Sequence, residues 1–175
     1  SAEVHKYELS ESHRGTPPFL VAAKTAKAAA AGGATRTELL EEAAMLALLN
    51  HRNILPLVGV VTVPRDMPAL VLLMYCERGT LKDHVATAGV GGISTVALLT
   101  FCAEVLQGLH YISSRRIVHR DVAARNVLLD GNEVCKLADF GRAVALADIG
   151  KDYAKLSEEL PIRHAAVEVL VSGRF

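Results

Sequence analysis

The sequence carries no excess of either charge, because 19 lysines and arginines balance 19 aspartates and glutamates. Nucleic-acid binders usually show a basic excess that replaces counterions on the phosphates, so we expect no nucleic-acid partner. Long apolar runs are also missing. The longest ones, residues 69–76 and the Pro- and Gly-broken run 54–63, fall well short of the roughly 18 residues that a membrane span needs. We therefore expect no membrane contact within this chain.

Metal and redox motifs are absent as well. Cys76, Cys102 and Cys135 are widely spaced and include no CxxC pair, which argues against a zinc site and a redox dithiol. No two of the seven histidines flank a carboxylate at i, i+4, as they would in a zinc protease. We expect free, mostly buried thiols in a reducing compartment.

The first residues show no signal-peptide pattern. The chain opens with Ser1 and has no basic segment followed by an apolar one, so we expect a fragment that is not secreted. With 51% apolar and 22% charged residues, the composition is that of an ordinary globular domain.

Short extended segments dominate the first part of the chain. Aliphatic and β-branched residues between Pro- and Gly-containing turns predict strands at 4–9, 19–24, 54–63 and 69–75. One helix interrupts them, because Thr35 and Glu38 form a capping-box pattern. Four residues at helical spacing define one face of this helix, with Glu42 beside it: Leu39, Ala43, Leu46 and Asn50.

The second part of the chain has helical periodicity. Ser94 is an expected N-cap, and five residues after it predict a core helix by their spacing: Leu98, Cys102, Val105, Leu109 and Ile112. The triplet Asp130-Gly131-Asn132 separates two short apolar segments, which predicts a hairpin. The fold class is therefore α+β, with a linker near residues 77–79 and a cleft between the two parts.

Four ordered motifs carry the chemistry. The segment His119-Arg-Asp-Val-Ala-Ala-Arg-Asn126 is followed by Asp139-Phe-Gly141, and both Val21-Ala-Ala-Lys24 and Glu42 precede them. In this order the motifs resemble the signature set of protein kinases.

Two further features resemble tyrosine kinases in particular. Ala123 stands where serine/threonine kinases usually have lysine, and the cation is Arg125 instead. Residues 160–163, Leu-Pro-Ile-Arg, are similar to the tyrosine-kinase substrate platform, in which Pro161 would pack on the acceptor phenol ring.

The resemblance implies a protein-kinase-like two-lobe fold. The whole chain, 1–175, would be a partial kinase domain. Residues 1–76 would form the β-rich small lobe with one helix and the start of the hinge, and residues 77–175 a truncated, mainly helical large lobe.

The resemblance also implies ATP and Mg²⁺ as cofactors and protein tyrosine hydroxyls as acceptors. Lys24 would contact the α and β phosphates while Glu42 holds its ammonium group. Asn126 and Asp139 would supply oxygen ligands to magnesium. Asp121 would orient the substrate hydroxyl and accept its proton, with Arg125 beside it.

Further positions would surround the nucleotide. These are Val4 above the adenine, Ala22 and Leu128 on its two faces, Leu73 as the gatekeeper, Met74, Tyr75 and Cys76 as the hinge, and Asp83 at the ribose.

Regulation would involve three more residues. Phe140 resembles a member of the apolar stack that links the lobes, together with Leu46, Leu57 and His119. Arg120 would pair with a phosphorylated residue of the activation loop, and Tyr153 is the expected autophosphorylation site.

The sequence departs from the family pattern at a few positions. Ala2 stands at the third glycine of the Gly-rich loop, His164 at a tryptophan, and Val167 at the proline of Ala-Pro-Glu. The alternative is therefore a pseudokinase or scaffold without efficient catalysis. Arg125 and Pro161 argue against a third option, a serine/threonine or small-molecule kinase.

The resemblance also bears on where the protein works. We expect a cytoplasmic location, or the cytoplasmic side of the plasma membrane if the parent is a receptor with a membrane span. The 175 residues alone are expected to fold poorly and to be inactive.

Overall fold

The computed structural model describes residues 3–9, 19–26, 35–63, 68–89 and 91–146. Their elements follow the order expected for an α+β fold, with strands and one helix first and two helices with short strand pairs after them. The division of the chain after residue 76 remains a prediction.

An antiparallel sheet forms the small lobe. Its strands are β1 (Glu3–Leu9), β2 (Phe19–Thr25), β3 (Leu57–Val61) and β4 (Leu70–Met74), in the spatial order β1-β2-β4-β3. The first two strands agree with the sequence prediction. The third begins later than predicted, because Ile54 instead bridges to Leu137 in the large lobe. That contact already belongs to the junction between the lobes.

Helix α1 (Arg36–Ala47) is capped as predicted. The Thr35 hydroxyl accepts from the Glu38 backbone N–H at 3.2 Å, and the Glu38 carboxylate accepts from the Thr35 N–H at 2.7 Å. These two bonds satisfy amide groups that the first helical turn leaves without partners. The buried face consists of Leu39, Glu42, Ala43 and Leu46. The prediction for Asn50 was wrong, because the helix ends before it and Asn50 is exposed.

The large lobe contains helices α2 (Leu81–Ala88) and α3 (Thr95–Ser114). Ser94 caps α3 as predicted, since its hydroxyl accepts from the Ala97 N–H at 3.1 Å. The predicted buried face was wrong in part. Leu98 is 41% exposed and Cys102 is exposed, so these two predictions were wrong. Ile112 is buried as predicted, and Val105 and Leu109 are partly buried against the core. The other buried residues, Phe101 and Gly108, were not predicted.

One short hairpin and one pair of strands that are distant in sequence complete the described large lobe. Strands β6 (Val127–Leu129) and β7 (Cys135–Leu137) pair around the predicted turn, and β5 (Ile117–Val118) pairs with β8 (Val144–Ala145). The Asp130 carboxylate accepts from the backbone N–H groups of Asn132 and Val134, which stabilises the turn. All three cysteines are free as predicted; Cys76 and Cys135 are buried.

By length and composition alone, α3 is apolar enough to cross a membrane, the one such helix in the described part of the chain. One side of the helix packs against the rest of the large lobe. The Glu104 carboxylate accepts from the Cys135 N–H at 2.8 Å, and a Cβ on Gly108 would lie 2.9 Å from the Asn53 carbonyl oxygen. Glycine therefore allows the close approach where α3 crosses the loop after α1.

Candidate active site

Lys24 lies at the centre of the site. Its Nζ is 2.5 Å from Glu42 Oε2 and 3.4 Å from Asp139 Oδ1. The side chains of Lys24 and Glu42 are 15% and 6% exposed, whereas that of Asp139 is 50% exposed. The ammonium group therefore joins a strand, a helix and the segment after β7, with its charge balanced by one buried and one open carboxylate.

Asp139 has a left-handed backbone conformation. Its φ is 61°, an uncommon value for a residue other than glycine, and a 3-10 turn at Phe140–Arg142 follows it. The Phe140 ring is buried and meets the His119 ring edge-on, with 4.7 Å between the centroids. Burying Phe140 directs the chain so that the Asp139 carboxylate remains in the cleft beside Lys24.

His119 contacts the same segment through a hydrogen bond to its backbone. Its Nε2 lies 3.0 Å from the Ala138 carbonyl oxygen, and its Nδ1 accepts from the Asp121 N–H at 3.3 Å. The ring hydrogen therefore belongs on Nε2, which donates to the carbonyl. Burial lowers the pKa of His119 below its usual 6.5, and the nearby carbonyl and carboxylates offset only part of this effect.

Two side chains hold the Asp121 carboxylate. Arg125 Nη2 lies 2.5 Å from Oδ1, and Asn126 Nδ2 donates to Oδ2 and to the backbone oxygen of Asp121, both at 2.8 Å. The Ala138 N–H donates to the Asn126 carbonyl at 2.8 Å, so this loop is tied to the residue before Asp139. The five residues predicted for catalysis thus form two clusters, Lys24 with Glu42 and Asp121 with Arg125 and Asn126, and the segment that carries Asp139 contacts both.

The sheet register places the adenine-pocket positions on one face. Ala22 lies opposite Leu73 in β4, and Val4 lies opposite Lys24. Cross-strand partners and alternate residues share a face, so all four side chains project from the same side of the sheet. Leu128 lies in β6 and bridges to Thr80, just beyond the hinge.

The hinge positions begin at the last residue of β4. Met74 ends the strand, and the next two residues are Tyr75 and the buried Cys76. Burial raises the pKa of Cys76 to about 12, with Asp130 adding to the effect. The far end of the hinge is fixed, because the Arg78 N–H donates to Leu129 O at 3.2 Å and Leu129 N–H donates to Gly79 O at 2.9 Å.

Several contacts at the site were missed from sequence. Lys6 Nζ lies 4.7 Å from the centroid of the Tyr75 ring, a cation–π contact between β1 and the hinge. The Asp83 carboxylate accepts from the Thr80 hydroxyl at 2.7 Å and so takes part in the cap of α2. The pattern Thr80-x-x-Asp83 could have revealed the cap. No periodic pattern signals the Lys6 contact.

A buried basic residue next to the hinge was also missed. Lys136 Nζ donates to the Arg52 carbonyl at 2.7 Å and lies 3.4 Å from Asp130 Oδ2. Burial alone would raise the pKa of Asp130, but hydrogen bonds from Val134 and Asn132, together with Lys136, outweigh it and keep that pKa below its usual value. This pair joins the β6–β7 hairpin to the loop after α1.

The predicted regulatory residues are only partly described. Arg120 has a φ of 63°, and its Nε donates to the Arg142 carbonyl oxygen. Tyr153, the platform at 160–163, Ala2, His164 and Val167 all lie outside the described residues. Their roles remain predictions.

Known proteins are similar to this chain over most of its length. The family model for protein tyrosine and serine/threonine kinases matches residues 1–175. The megakaryocyte-associated tyrosine-protein kinase of Rattus norvegicus is 36% identical over 141 residues, which cover 81% of this chain and 29% of the relative. Tyrosine-protein kinase Abl of Drosophila melanogaster is 36% identical over 79% of this chain and 8% of its own length.

A receptor is among the similar proteins. Ephrin type-B receptor 4 of Homo sapiens is 35% identical over 167 residues, or 92% of this chain and 16% of the receptor. The chain thus spans less than a third of the length of these relatives. With the Lys24 contacts and the Asp121 loop in place, these likenesses make the chain a member of the protein tyrosine and serine/threonine kinase family, with tyrosine kinases as its relatives.

Proposed function

We propose that this chain is catalytic-domain sequence of a protein tyrosine kinase that transfers the γ-phosphate of ATP to tyrosine hydroxyls of proteins. The observation that carries the proposal is the position of Lys24 Nζ, within reach of both Glu42 and Asp139. A kinase needs this arrangement because phosphoryl transfer depends on positioning and on neutralising charge.

Lys24 provides the positive charge for the nucleotide. Glu42, buried on α1, keeps the ammonium group in the cleft and prevents it from turning toward solvent. The α and β phosphates are then bound by a cation whose location is set before ATP arrives, which lowers the cost of ordering the complex.

The residues predicted to hold magnesium suit that ion. Asn126 donates through Nδ2 to Asp121, which leaves its Oδ1 as an oxygen ligand. Asp139 is half exposed and offers a carboxylate. Both are hard oxygen donors, the type that Mg²⁺ prefers. Bound Mg²⁺ would neutralise charge on the phosphate oxygens.

Asp121 would receive the proton of the tyrosine hydroxyl. Arg125 and Asn126 fix the orientation of its carboxylate, and each carboxylate oxygen retains a further lone pair for the substrate. As the new O–P bond forms, the hydroxyl proton passes to Asp121. The bond from the γ-phosphorus to the bridging oxygen breaks, and ADP leaves with that electron pair.

The tyrosine preference rests on Ala123 and Arg125 and on the tyrosine kinases among the similar proteins. Protein substrates with tyrosine acceptors follow from the same likeness. Because both a receptor and proteins not named as receptors are similar to the chain, we propose a cytoplasmic kinase domain, either free or as part of a receptor at the plasma membrane.

The test measures phosphate transfer from ATP to matched tyrosine and serine peptides by the protein expressed from its complete gene. We expect labelling of the tyrosine peptide and a loss of about a hundredfold or more in Asp121→Asn, which cannot accept the proton. Nucleotide binding by both proteins is the control. ATP binding without transfer would contradict the proposal and identify a pseudokinase, and preferential serine labelling would contradict the tyrosine assignment.

A further inference from the structure

Lys6 is a charged side chain on the face of the small-lobe sheet that carries the adenine-pocket positions, and the proposed transfer of phosphate does not use it. It lies opposite Ala22 in β2, which in turn lies opposite Leu73 in β4, so the three residues form one row across the sheet. Cross-strand partners project from the same face of a sheet. A role for Lys6 toward ATP therefore rests on the proposed function and deepens it.

The Lys6 side chain reaches the hinge. Its Nζ lies 4.7 Å from the centroid of the Tyr75 ring, within the distance at which an aromatic face attracts an ammonium group. Lys6 belongs to β1 and Tyr75 comes directly after β4, and β2 lies between these two strands. The contact therefore spans the strand that carries Ala22, at the side of the adenine pocket where the hinge begins.

The same contact fixes β1 relative to the hinge. Among the described strands, β1 is at the edge of the sheet and pairs with β2 alone. The Lys6 contact is thus a direct link from β1 to the segment after β4. Val4, which is expected above the adenine, lies on the same strand two residues before Lys6. A link that holds β1 in place before ATP arrives lowers the cost of ordering this part of the pocket.

The chemistry of the pair suits the outer edge of a nucleotide pocket. Lys6 is exposed and Tyr75 is half-buried, so the lysine stem can cover the ring while the ammonium group stays hydrated. Lys24 is a separate cation, because its Nζ lies between the carboxylates of Glu42 and Asp139. One lysine therefore faces the phosphate positions, and the other lies at the hinge beside the adenine position.

We propose that Lys6 is a positioning residue for the nucleotide. Acting through the Tyr75 ring, it closes the outer edge of the adenine pocket and increases the affinity for the adenosine part of ATP. A cation–π contact at an exposed site is weak, so its loss should weaken nucleotide binding by about two- to fivefold. The chemical step should not change, because Asp121, the proposed proton acceptor, lies in the large lobe.

The experiment measures the Kd of ATP and of adenosine, which has no phosphates, by competition with a fluorescent ATP analogue on the protein expressed from its complete gene. Lys6→Met keeps the length of the side chain and removes the cation. We expect Kd to rise about two- to fivefold for both ligands. In peptide phosphorylation, KM for ATP should rise in parallel while kcat stays the same. Lys6→Arg, which returns a cation to the ring, should restore the Kd of the parent protein.

His5→Met is the matched control. His5 is also exposed and precedes Lys6 on β1, but its side chain projects from the opposite face of the sheet. We expect its Kd for ATP to equal that of the parent protein. The dependence on the ring is measured in a Tyr75→Leu background, where Lys6→Met should cause no further loss of affinity.

Weaker binding of ATP with unchanged binding of adenosine would overturn the proposal, in favour of a contact between Lys6 and the phosphates. Equal losses in Lys6→Met and His5→Met, a fall in kcat at constant KM, or an undiminished effect of Lys6→Met in the Tyr75→Leu background would also overturn it. The proposed function fails separately. A protein that loses affinity in Lys6→Met as expected but transfers no phosphate would support the role of Lys6 and contradict the kinase assignment.

Discussion

Helices α1 and α3 differ in how their sequence relates to their environment. The shorter helix, α1, buries four residues on one face, including Glu42. The longer and more apolar helix, α3, has three buried residues and leaves Leu99 and Leu106 in water. The number of apolar residues in a helix therefore does not show how much the described fold depends on that helix. The residues that pack against each face of the helix show it.

Truncating one leucine on each helix tests this contrast with the largest expected effect. Leu46→Ala should lower the free energy of unfolding by about 2 to 5 kcal/mol, because Leu46 is buried and a cavity would remain. Leu99→Ala should change it by less than about 0.5 kcal/mol. Urea unfolding followed by circular dichroism measures both, and equal destabilisation would show that α3 is as well covered as α1.

Neutralising one carboxylate on each helix sharpens the contrast for function. Glu42→Gln keeps the shape but loses the charge that holds Lys24, so kcat/KM for peptide phosphorylation should fall roughly tenfold to a hundredfold. Glu104→Gln on α3 can still accept from the Cys135 N–H through its amide oxygen. Its kcat/KM should remain within about twofold. A loss of kcat/KM in Glu104→Gln that exceeds the loss in Glu42→Gln would contradict the assignment of α1 to the site.

At one position of α3, a substitution should destabilise the protein, as substitutions at the buried positions of α1 do. Gly108→Ala places a Cβ 2.9 Å from the Asn53 carbonyl oxygen, so overpacking should destabilise the protein by about 1 kcal/mol, despite the better helix propensity of alanine. Gly59→Ala is the control, since no atom lies within 4 Å of its added Cβ. Thermal melts would compare them. A stabilised Gly108→Ala would place α3 farther from the loop than described.

The smallest loss of stability is expected in mild acid, where protonation of His119, whose ring contacts that of Phe140, begins to matter. Its folded pKa is lowered, so the unfolded chain takes up the proton first as the pH falls. Stability should be constant above pH about 6.5, the unfolded pKa, and should decrease below it toward the folded pKa. Urea midpoints between about pH 8 and 5.5 measure this. His119→Gln should flatten the decrease, because it removes the imidazole whose pKa differs between the folded and unfolded states.

Local chemistry explains which features were predictable from sequence. The Thr35 cap, the Ser94 cap and the turn at Asp130 depend on hydrogen bonds between residues close in the chain, and the structure contains all three. The position of Glu42 came from the order of the motifs and its likeness to kinases. The helix alone offered Glu38 and Glu41 as equal candidates.

Other features depend on neighbours that are distant in sequence. The face of α3 was misjudged because Gly108 packs on Asn53, and a periodicity of apolar residues gives no weight to glycine. Asn50 was placed on α1 because the spacing continued past the end of the helix. Lys6 and Tyr75 are in contact but lie near opposite ends of the small-lobe sequence, so no local sequence pattern contains this contact.

Cys76 has a consequence for chemical probes. A hinge cysteine beside the proposed nucleotide pocket invites the design of inhibitors that form a covalent bond to sulfur. Only the thiolate reacts, and burial raises the pKa of the Cys76 thiol to about 12, so it stays protonated at neutral pH. The sulfur is also buried. Among the three cysteines of this chain, electrophiles should therefore react first with the exposed Cys102 on α3, which is not among the residues of the proposed nucleotide pocket.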